Sequence, residues 1–180
     1  SRSRLTGERV KKTADAVSLK KKGILFENAY TTSPLCVPAR TSMTTGLYPH
    51  NSNLWQNDST IPLDSDTYMH RLKESGYTTC SIGKNHLYLM ENCNLYSNHP
   101  NYNLIGFDHI EDMSGTWGII EGKSVYTDYL ENLRLKNNLS KYLKELEDKS
   151  DLVRQFIAEP LPIESKHYID SFIVRRVSQY

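Results

Sequence analysis

Pro38 and Gly46 delimit the segment that most constrains how this chain can fold. Proline suits the first turn of a helix, because its missing N–H would have no partner there, and glycine commonly follows the last helical residue. We therefore predict a helix that runs from Pro38 to about Thr45. Residues 24–30, which are apolar at first, predict a strand before it, separated from the helix by a polar loop.

Apolar periodicity and glycine positions predict the remaining elements. The predicted helices cover residues 13–22, ended by Gly23, and residues 67–75, 126–136, 139–146 and 167–180. The predicted strands cover residues 77–82 and, inside a long irregular excursion over 88–123, short stretches near 105–110 and 118–120.

This alternation of strands and helices indicates an α/β fold with a mostly parallel sheet flanked by helices. Ligands of such sheets bind beyond the carboxyl ends of the strands. Cys36 follows the first predicted strand, whereas Lys84 and His86 directly follow the strand predicted over 77–82. We therefore expect these three residues to face one crevice.

Composition excludes several classes of partner. The net charge of +1 gives no basis for a nucleic-acid partner, and without a run of 18 apolar residues we expect no membrane span. Cys36, Cys80 and Cys93 are odd in number and widely spaced, which argues against a disulfide framework and against zinc. One cysteine is therefore free to have a chemical role.

The surroundings of Cys36 favour an anion. It lies at a predicted helix N-terminus, where unpaired backbone N–H groups attract negative charge. Arg40 follows four residues later, on the same helix face, and its planar guanidinium suits an oxyanion. The alternative is a small buried cysteine beside a surface arginine.

The full pattern Cys36, Pro38, Arg40, Thr45 and Gly46 resembles the signature of the sulfatases, within the alkaline-phosphatase-like superfamily. A second stretch is similar to the second signature of that family: Gly76-Tyr77-x-Thr79-x-x-x-Gly83-Lys84-x-His86. The resemblance is strongest over residues 23–87, and it implies an alkaline-phosphatase-like fold.

The resemblance also implies the chemistry. Cys36 would be oxidised to formylglycine by a formylglycine-generating enzyme, and its hydrated aldehyde would attack the sulfur of a small-molecule or carbohydrate sulfate ester. Residue 36 would also bind a divalent cation, usually calcium. Arg40 would hold the formylglycine, Lys84 would contact the sulfate, and His86 would take a proton during release. Enzymes of this kind are periplasmic, secreted or lysosomal.

Two departures from the family pattern matter. No Asp-Asp pair precedes Cys36, and the later metal ligands would fall beyond Tyr180. Calcium takes six or more oxygens, and this stretch has one matched ligand. We therefore expect residues 1–180 to be a partial N-terminal catalytic domain, without its first strand and C-terminal part, that does not catalyse alone.

Two alternatives share these motifs. One is a phosphonate monoester or phosphodiester hydrolase of the same superfamily, and the other is a relative that binds without catalysis. The loops 50–66 and 88–123 would determine substrate selectivity, and their Trp55 and Trp117 are suited to stacking on sugar rings.

Overall fold

A computed structural model describes residues 21–89, 91–113, 115–147 and 161–180. The chain divides into two compact units, Ser1–Thr31 and Thr32–Tyr180. In the first unit, residues 21 and 22 are helical, and the rest of the helix predicted over 13–22 lies outside the described residues.

The strand predicted over 24–30 is wrong, because this segment has no strand geometry. Ile24 is 84% exposed and Tyr30 is 92% exposed. An extended segment becomes a strand only when a neighbouring strand satisfies its backbone N–H and C=O groups. The described residues of the first unit provide none.

The second unit carries the helices and strands of the fold. In chain order they are α1 (Cys36–Thr45), α2 (Pro49–Ser52), α3 (Tyr68–Glu74), β1 (Cys80–Gly83), α4 (His99–Leu104), β2 (His109–Asp112), α5 (Thr116–Glu121), α6 (Val125–Asn132), α7 (Lys136–Glu147) and α8 (Ile169–Gln179). Short 3-10 turns cover Glu91–Cys93, Leu95–Asn98 and Ser165–His167.

Strands β1 and β2 form a parallel pair in which Cys80 lies opposite His109 and Gly83 lies opposite Asp112. The connection between them contains α4, as a parallel crossover requires. The carboxyl ends of both strands therefore meet at one edge of the sheet. The predicted α/β class is confirmed, and β1 overlaps the strand predicted over 77–82 but starts later and ends one residue beyond it, at Gly83.

Two predicted helix boundaries are confirmed. Helix α1 ends at Gly46, where φ is 75°, and α3 is followed by Gly76, where φ is 85°. Left-handed backbone of this kind favours glycine. Along α1, Val37, Thr41 and Thr44 are buried on one face.

The strand predicted near 118–120 is wrong, because these residues lie in α5. The amide of Gly122 donates to the carbonyl of Gly118 at 2.9 Å and closes a helical turn. Ile120 is buried in a cluster with residues of α6, α7 and α8. A short apolar run does not separate a strand from a buried helical turn.

Two apolar clusters form the core. The first joins α3 and α4 to β2, and its buried members are Ile61, Met69, Leu87, Tyr88, Tyr102, Ile105, Phe107 and Ile110. The second joins the four helices α5, α6, α7 and α8, and its buried members are Met113, Ile120, Tyr126, Leu130, Leu139, Leu143, Ile163 and Phe172. Because β2 ends between the two clusters, its carboxyl end is fixed from both sides. In the described ranges, no helix has the length and apolar character needed to cross a membrane.

Candidate active site

Cys36 is the first residue of α1, and its side chain is exposed. Leu35 precedes it in extended conformation, and the Leu35 carbonyl accepts from the Ala39 amide at 3.1 Å. No side chain of the helix itself caps this end. Instead, the amide of Val37 donates to Oδ1 of Asn57 at 3.0 Å. The loop that follows α2 therefore supplies the cap for the helix that presents Cys36.

Arg40 lies one helical turn after Cys36 and is half-buried. Its Nη1 donates a hydrogen bond to the backbone carbonyl of Lys84, 44 residues away in sequence. This contact joins the start of α1 to the loop that follows β1. The remaining guanidinium N–H groups stay available to an anion bound near Cys36.

Lys84 and His86 belong to the loop at the carboxyl end of β1. Lys84 is exposed, and a Cβ placed on Gly115 would lie 3.5 Å from its Nζ. The ammonium group therefore passes beside the residue that precedes α5. His86 is half-buried and has φ of 54°, in the left-handed region. A non-glycine residue keeps such a conformation only where its surroundings fix it.

Asn85 fixes that loop from within. Its Oδ1 accepts from Ser81 Oγ at 2.6 Å, and its Nδ2 donates to the Gly83 carbonyl at 3.2 Å. Its backbone amide donates to Oδ1 of Asp112 at 2.9 Å. The turn that carries Lys84 and His86 is thus hydrogen-bonded to both strands.

The pKa of His86 is set mainly by burial and by two nearby cations. Burial lowers the pKa of His86, and the positive charges of Lys84 and Arg40 lower it further, whereas Asp112 raises it. The imidazole is therefore mostly neutral at neutral pH and able to accept a proton. Its Nδ1 is buried without a hydrogen-bond partner among the described residues.

The structure thus brings Arg40, Lys84 and His86 together at the carboxyl end of β1. Cys36 joins them through α1, one turn before Arg40. The alternative of a buried cysteine does not hold, because Cys36 is exposed. Such an arrangement can bind an anion beside the exposed residue 36.

The described residues do not assemble a cation site by themselves. In the part of the chain that the structure describes, no group of three or more His, Cys, Asp and Glu side chains is placed to hold a metal ion. Calcium takes six to eight oxygen ligands. Among the described residues, no cluster of these four residue types therefore matches a calcium site by itself.

The comparison with known families agrees with both signatures. The sequence model of the family described as Sulfatase matches residues 3–158. The chain belongs to the sulfatase family.

Three relatives of this sulfatase chain match over a shorter stretch. Arylsulfatase K from Xenopus laevis is 44% identical over 66 residues, which are 37% of this chain and 12% of that protein. The uncharacterized sulfatase YidJ from Escherichia coli is 43% identical over 75 residues, 42% of this chain and 15% of that protein. Choline-sulfatase from Rhizobium meliloti is 39% identical over 69 residues, 38% of this chain and 14% of that protein. The matched stretch is therefore a small part of each relative's length.

A solved structure supports the fold of this sulfatase chain. The phosphonate monoester hydrolase of Agrobacterium radiobacter aligns with a TM-score of 0.57 at 17% identity. The alignment covers 91% of this chain and 32% of that one. At this identity the likeness concerns the fold alone.

Sequence reasoning missed three residues that shape the sulfatase site. Asn57 had no signal, because its partner lies across a loop at no fixed spacing. Asn85 occupies an unassigned position of the second signature. Asp112 ends β2 at the same sheet edge as Lys84, so a correctly placed second strand would have found it.

Proposed function

We propose that this chain is part of a hydrolase of sulfate esters whose nucleophile derives from Cys36. The observation that carries the proposal is the hydrogen bond from Arg40 to the Lys84 carbonyl. It joins the helix that begins at the exposed Cys36 to the loop of Lys84 and His86, and the charges of Arg40 and Lys84 both act on the His86 imidazole. A tetrahedral sulfuryl group with three peripheral oxygens suits such a cluster of donors.

The residues of this chain then have separate roles. Converted to formylglycine, residue 36 would supply an attacking hydroxyl and a second hydroxyl that permits release. Arg40 orients residue 36 and offsets its negative charge, since it lies on the same helix face. Lys84 binds a sulfate oxygen through its exposed ammonium.

His86 accepts a proton in the release step. Its lowered pKa keeps the ring neutral at neutral pH, which is the form that a general base requires. The nearby cations of Lys84 and Arg40 maintain that neutral form until a proton arrives. Binding of an anion offsets those cations, so substrate itself would make the ring more basic.

We also propose that the enzyme binds a divalent cation, with calcium as the expected ion, because sulfatases generally use one. Cys36 would contribute one oxygen after its conversion. We expect further ligands from residues that the structure does not describe. We likewise propose that residues 1–180 are one part of the catalytic domain, and that its partners are a formylglycine-generating enzyme and a small-molecule or carbohydrate sulfate ester.

The modification of Cys36 provides the sharpest test. The full-length protein is produced in a host that contains a formylglycine-generating enzyme, and the peptide around residue 36 is mapped by mass spectrometry. Conversion lowers the mass of that peptide. An unmodified thiol at Cys36 in such a host would contradict the proposal.

Turnover of a chromogenic aryl sulfate completes the test. Cys36→Ala should abolish it, whereas Cys80→Ala, which alters another exposed free cysteine, should preserve it. An aryl phosphonate monoester serves as the competing substrate. Faster turnover of the phosphonate than of the sulfate would favour the phosphonate monoester hydrolase alternative.

A further inference from the structure

Asp112 is a buried carboxylate directly behind the Lys84–His86 loop. It is the last residue of β2, lies opposite Gly83, and is 2% exposed. In the described part of the chain, no lysine or arginine forms an ion pair with it. A buried carboxylate without a cation partner has to be stabilised by hydrogen bonds.

Those hydrogen bonds come from two directions. Oδ1 accepts from the Asn85 backbone amide at 2.9 Å and lies 3.4 Å from Asn85 Nδ2. Oδ2 accepts from the hydroxyl of Tyr102, a fully buried residue of α4, at 2.7 Å. Burial and the Asp112 charge raise the pKa of Tyr102, so its hydroxyl remains a donor at any physiological pH.

The hydrogen bond between Asp112 and the Asn85 amide matters because of where Asn85 lies. Asn85 lies between Lys84 and His86, so a hydrogen bond to its amide fixes the Lys84–Asn85 peptide at the centre of the turn that carries both side chains. His86 has a left-handed φ of 54°, which its surroundings must stabilise. Tyr102 and Asp112 anchor that turn in the apolar core of the second unit.

We propose that Asp112 is a positioning residue for hydrolysis. It holds Asn85 through Oδ1 so that Lys84 and His86 present their side chains to one anion. The inference rests on the proposed function for the roles of Lys84 and His86. Asp112 itself is buried and holds the loop through Asn85.

The charge of Asp112 has a second effect. The charged groups that act on His86 are Lys84 of its own loop, Arg40 of α1 and Asp112 of β2. The two cations disfavour protonation of the imidazole, and Asp112 favours it. Removing the negative charge should therefore lower the pKa of His86 further, which a purely structural role of Asp112 would not require.

The test compares Asp112→Asn with Asp108→Asn in the full-length protein. Asparagine at 112 loses the charge, and its neutral oxygen accepts the Asn85 amide only about half as strongly as a carboxylate does, so kcat should fall in Asp112→Asn, though less than in Asp112→Ala. Asp108 is the matched control, because it accepts from the Thr79 amide at 2.9 Å at the opposite end of the same strand pair. Each variant is titrated by NMR with labelled histidine, and the His86 signal is assigned by its loss in His86→Gln.

We expect the His86 midpoint to fall in Asp112→Asn and to stay at the wild-type value in Asp108→Asn. Asp112→Ala, which leaves the Asn85 amide without its acceptor, should lower kcat on an aryl sulfate on the order of tenfold to a hundredfold. KM should change less, because Lys84 and Arg40 still bind the anion. Asp112→Asn carries the test alone if Asp112→Ala does not fold.

The outcomes separate this inference from the proposed function. If wild-type protein hydrolyses the sulfate ester, and Asp112→Asn matches Asp108→Asn in both the His86 midpoint and kcat, the positioning role is overturned. If wild-type protein shows no hydrolysis but the midpoint still falls in Asp112→Asn, the link from Asp112 to His86 stands and the proposed function fails.

Discussion

The guanidinium of Arg40 donates a hydrogen bond to the backbone carbonyl of Lys84, which joins the helix that begins at Cys36 to the loop that carries His86. The two segments are 44 residues apart in sequence. The Arg40 side chain thus aligns helix α1 with the loop of Lys84 and His86. Any change in the shape of residue 40 should therefore affect both stability and turnover.

Arg40→Lys tests that relationship. Lysine keeps the charge but lacks the rigid planar fork, so it should hold the Lys84 carbonyl and an anion together less well. We expect kcat/KM on an aryl sulfate to fall at least about tenfold and the free energy of unfolding to fall by about 1 kcal/mol. Arg71→Lys is the control, since Arg71 pairs with Asp66 at an exposed site. Equal effects of the two substitutions would contradict the alignment role of Arg40.

Asn57 offers a test in which stability and activity move in opposite directions. Asn57→Ala removes the cap on the Val37 amide and should lower the free energy of unfolding by about 1 kcal/mol. Asn57→Asp keeps the acceptor and adds negative charge at a helix N-terminus, which should preserve or raise stability by about 0.3–1 kcal/mol. The same charge should repel an anionic ester and raise KM.

Urea unfolding and steady-state kinetics on both Asn57 variants provide the measurements. Asn51→Asp, an exposed position in α2, controls for added negative charge elsewhere on the surface. If Asn57→Asp left KM unchanged, the anion would have to bind away from the start of α1.

The sequence predicted the parts of this site that depend on local chemistry. Pro38 lies in the first turn of α1 and Gly46 follows its last residue, as expected, although the helix begins two residues earlier, at Cys36. Lys84 and His86 follow a strand, because the glycine at 83 ends β1. Elements of this kind depend on residues close in sequence.

Features that depend on distant partners were missed. The segment 24–30 begins with apolar residues suited to a strand, but strand formation depends on a neighbouring strand, which the described residues of the first unit do not provide. The strand expected near 105–110 begins instead at His109, because α4 runs to Leu104 and Gly106 turns the chain with φ of 101°. Because the predicted strand ended at residue 110, the sequence did not indicate Asp112 as a strand-end residue. It therefore did not indicate the hydrogen bond from the Asn85 amide to Asp112 either.

The ion pair between Glu111 and Arg176 should make stability depend on pH. The hydrogen bonds from Arg176 chiefly, and that from His109, hold the pKa of Glu111 below its usual range. The Glu111 side chain is 4% exposed. A carboxylate with a lowered folded pKa stabilises the protein above its unfolded pKa, and that contribution is lost as pH falls through the folded value.

Glu111→Gln should therefore lower the free energy of unfolding by about 1–3 kcal/mol at pH 7. The difference from wild type should shrink once pH falls below the ordinary glutamate pKa of about 4.3. Urea unfolding across that range measures both. Asp66→Asn is the control, because its pair with Arg71 is exposed on both sides and should contribute about 0–1 kcal/mol. A Glu111→Gln difference that is constant with pH would exclude the ion pair as its cause.

Alanine substitutions at Gly106 and Gly76 distinguish the cost of backbone strain from the cost of a steric clash. Both have positive φ, of 101° and 85°, but a Cβ on Gly106 would lie 2.9 Å from the His70 amide nitrogen, whereas one on Gly76 would meet nothing within 4 Å. Gly76→Ala should cost about 1–2 kcal/mol from left-handed strain, and Gly106→Ala about 1–3 kcal/mol more from the clash. Urea unfolding compares them, and equal losses would contradict the close contact. Because Gly106 precedes β2 and touches no site residue, the folded fraction of Gly106→Ala should retain its kcat.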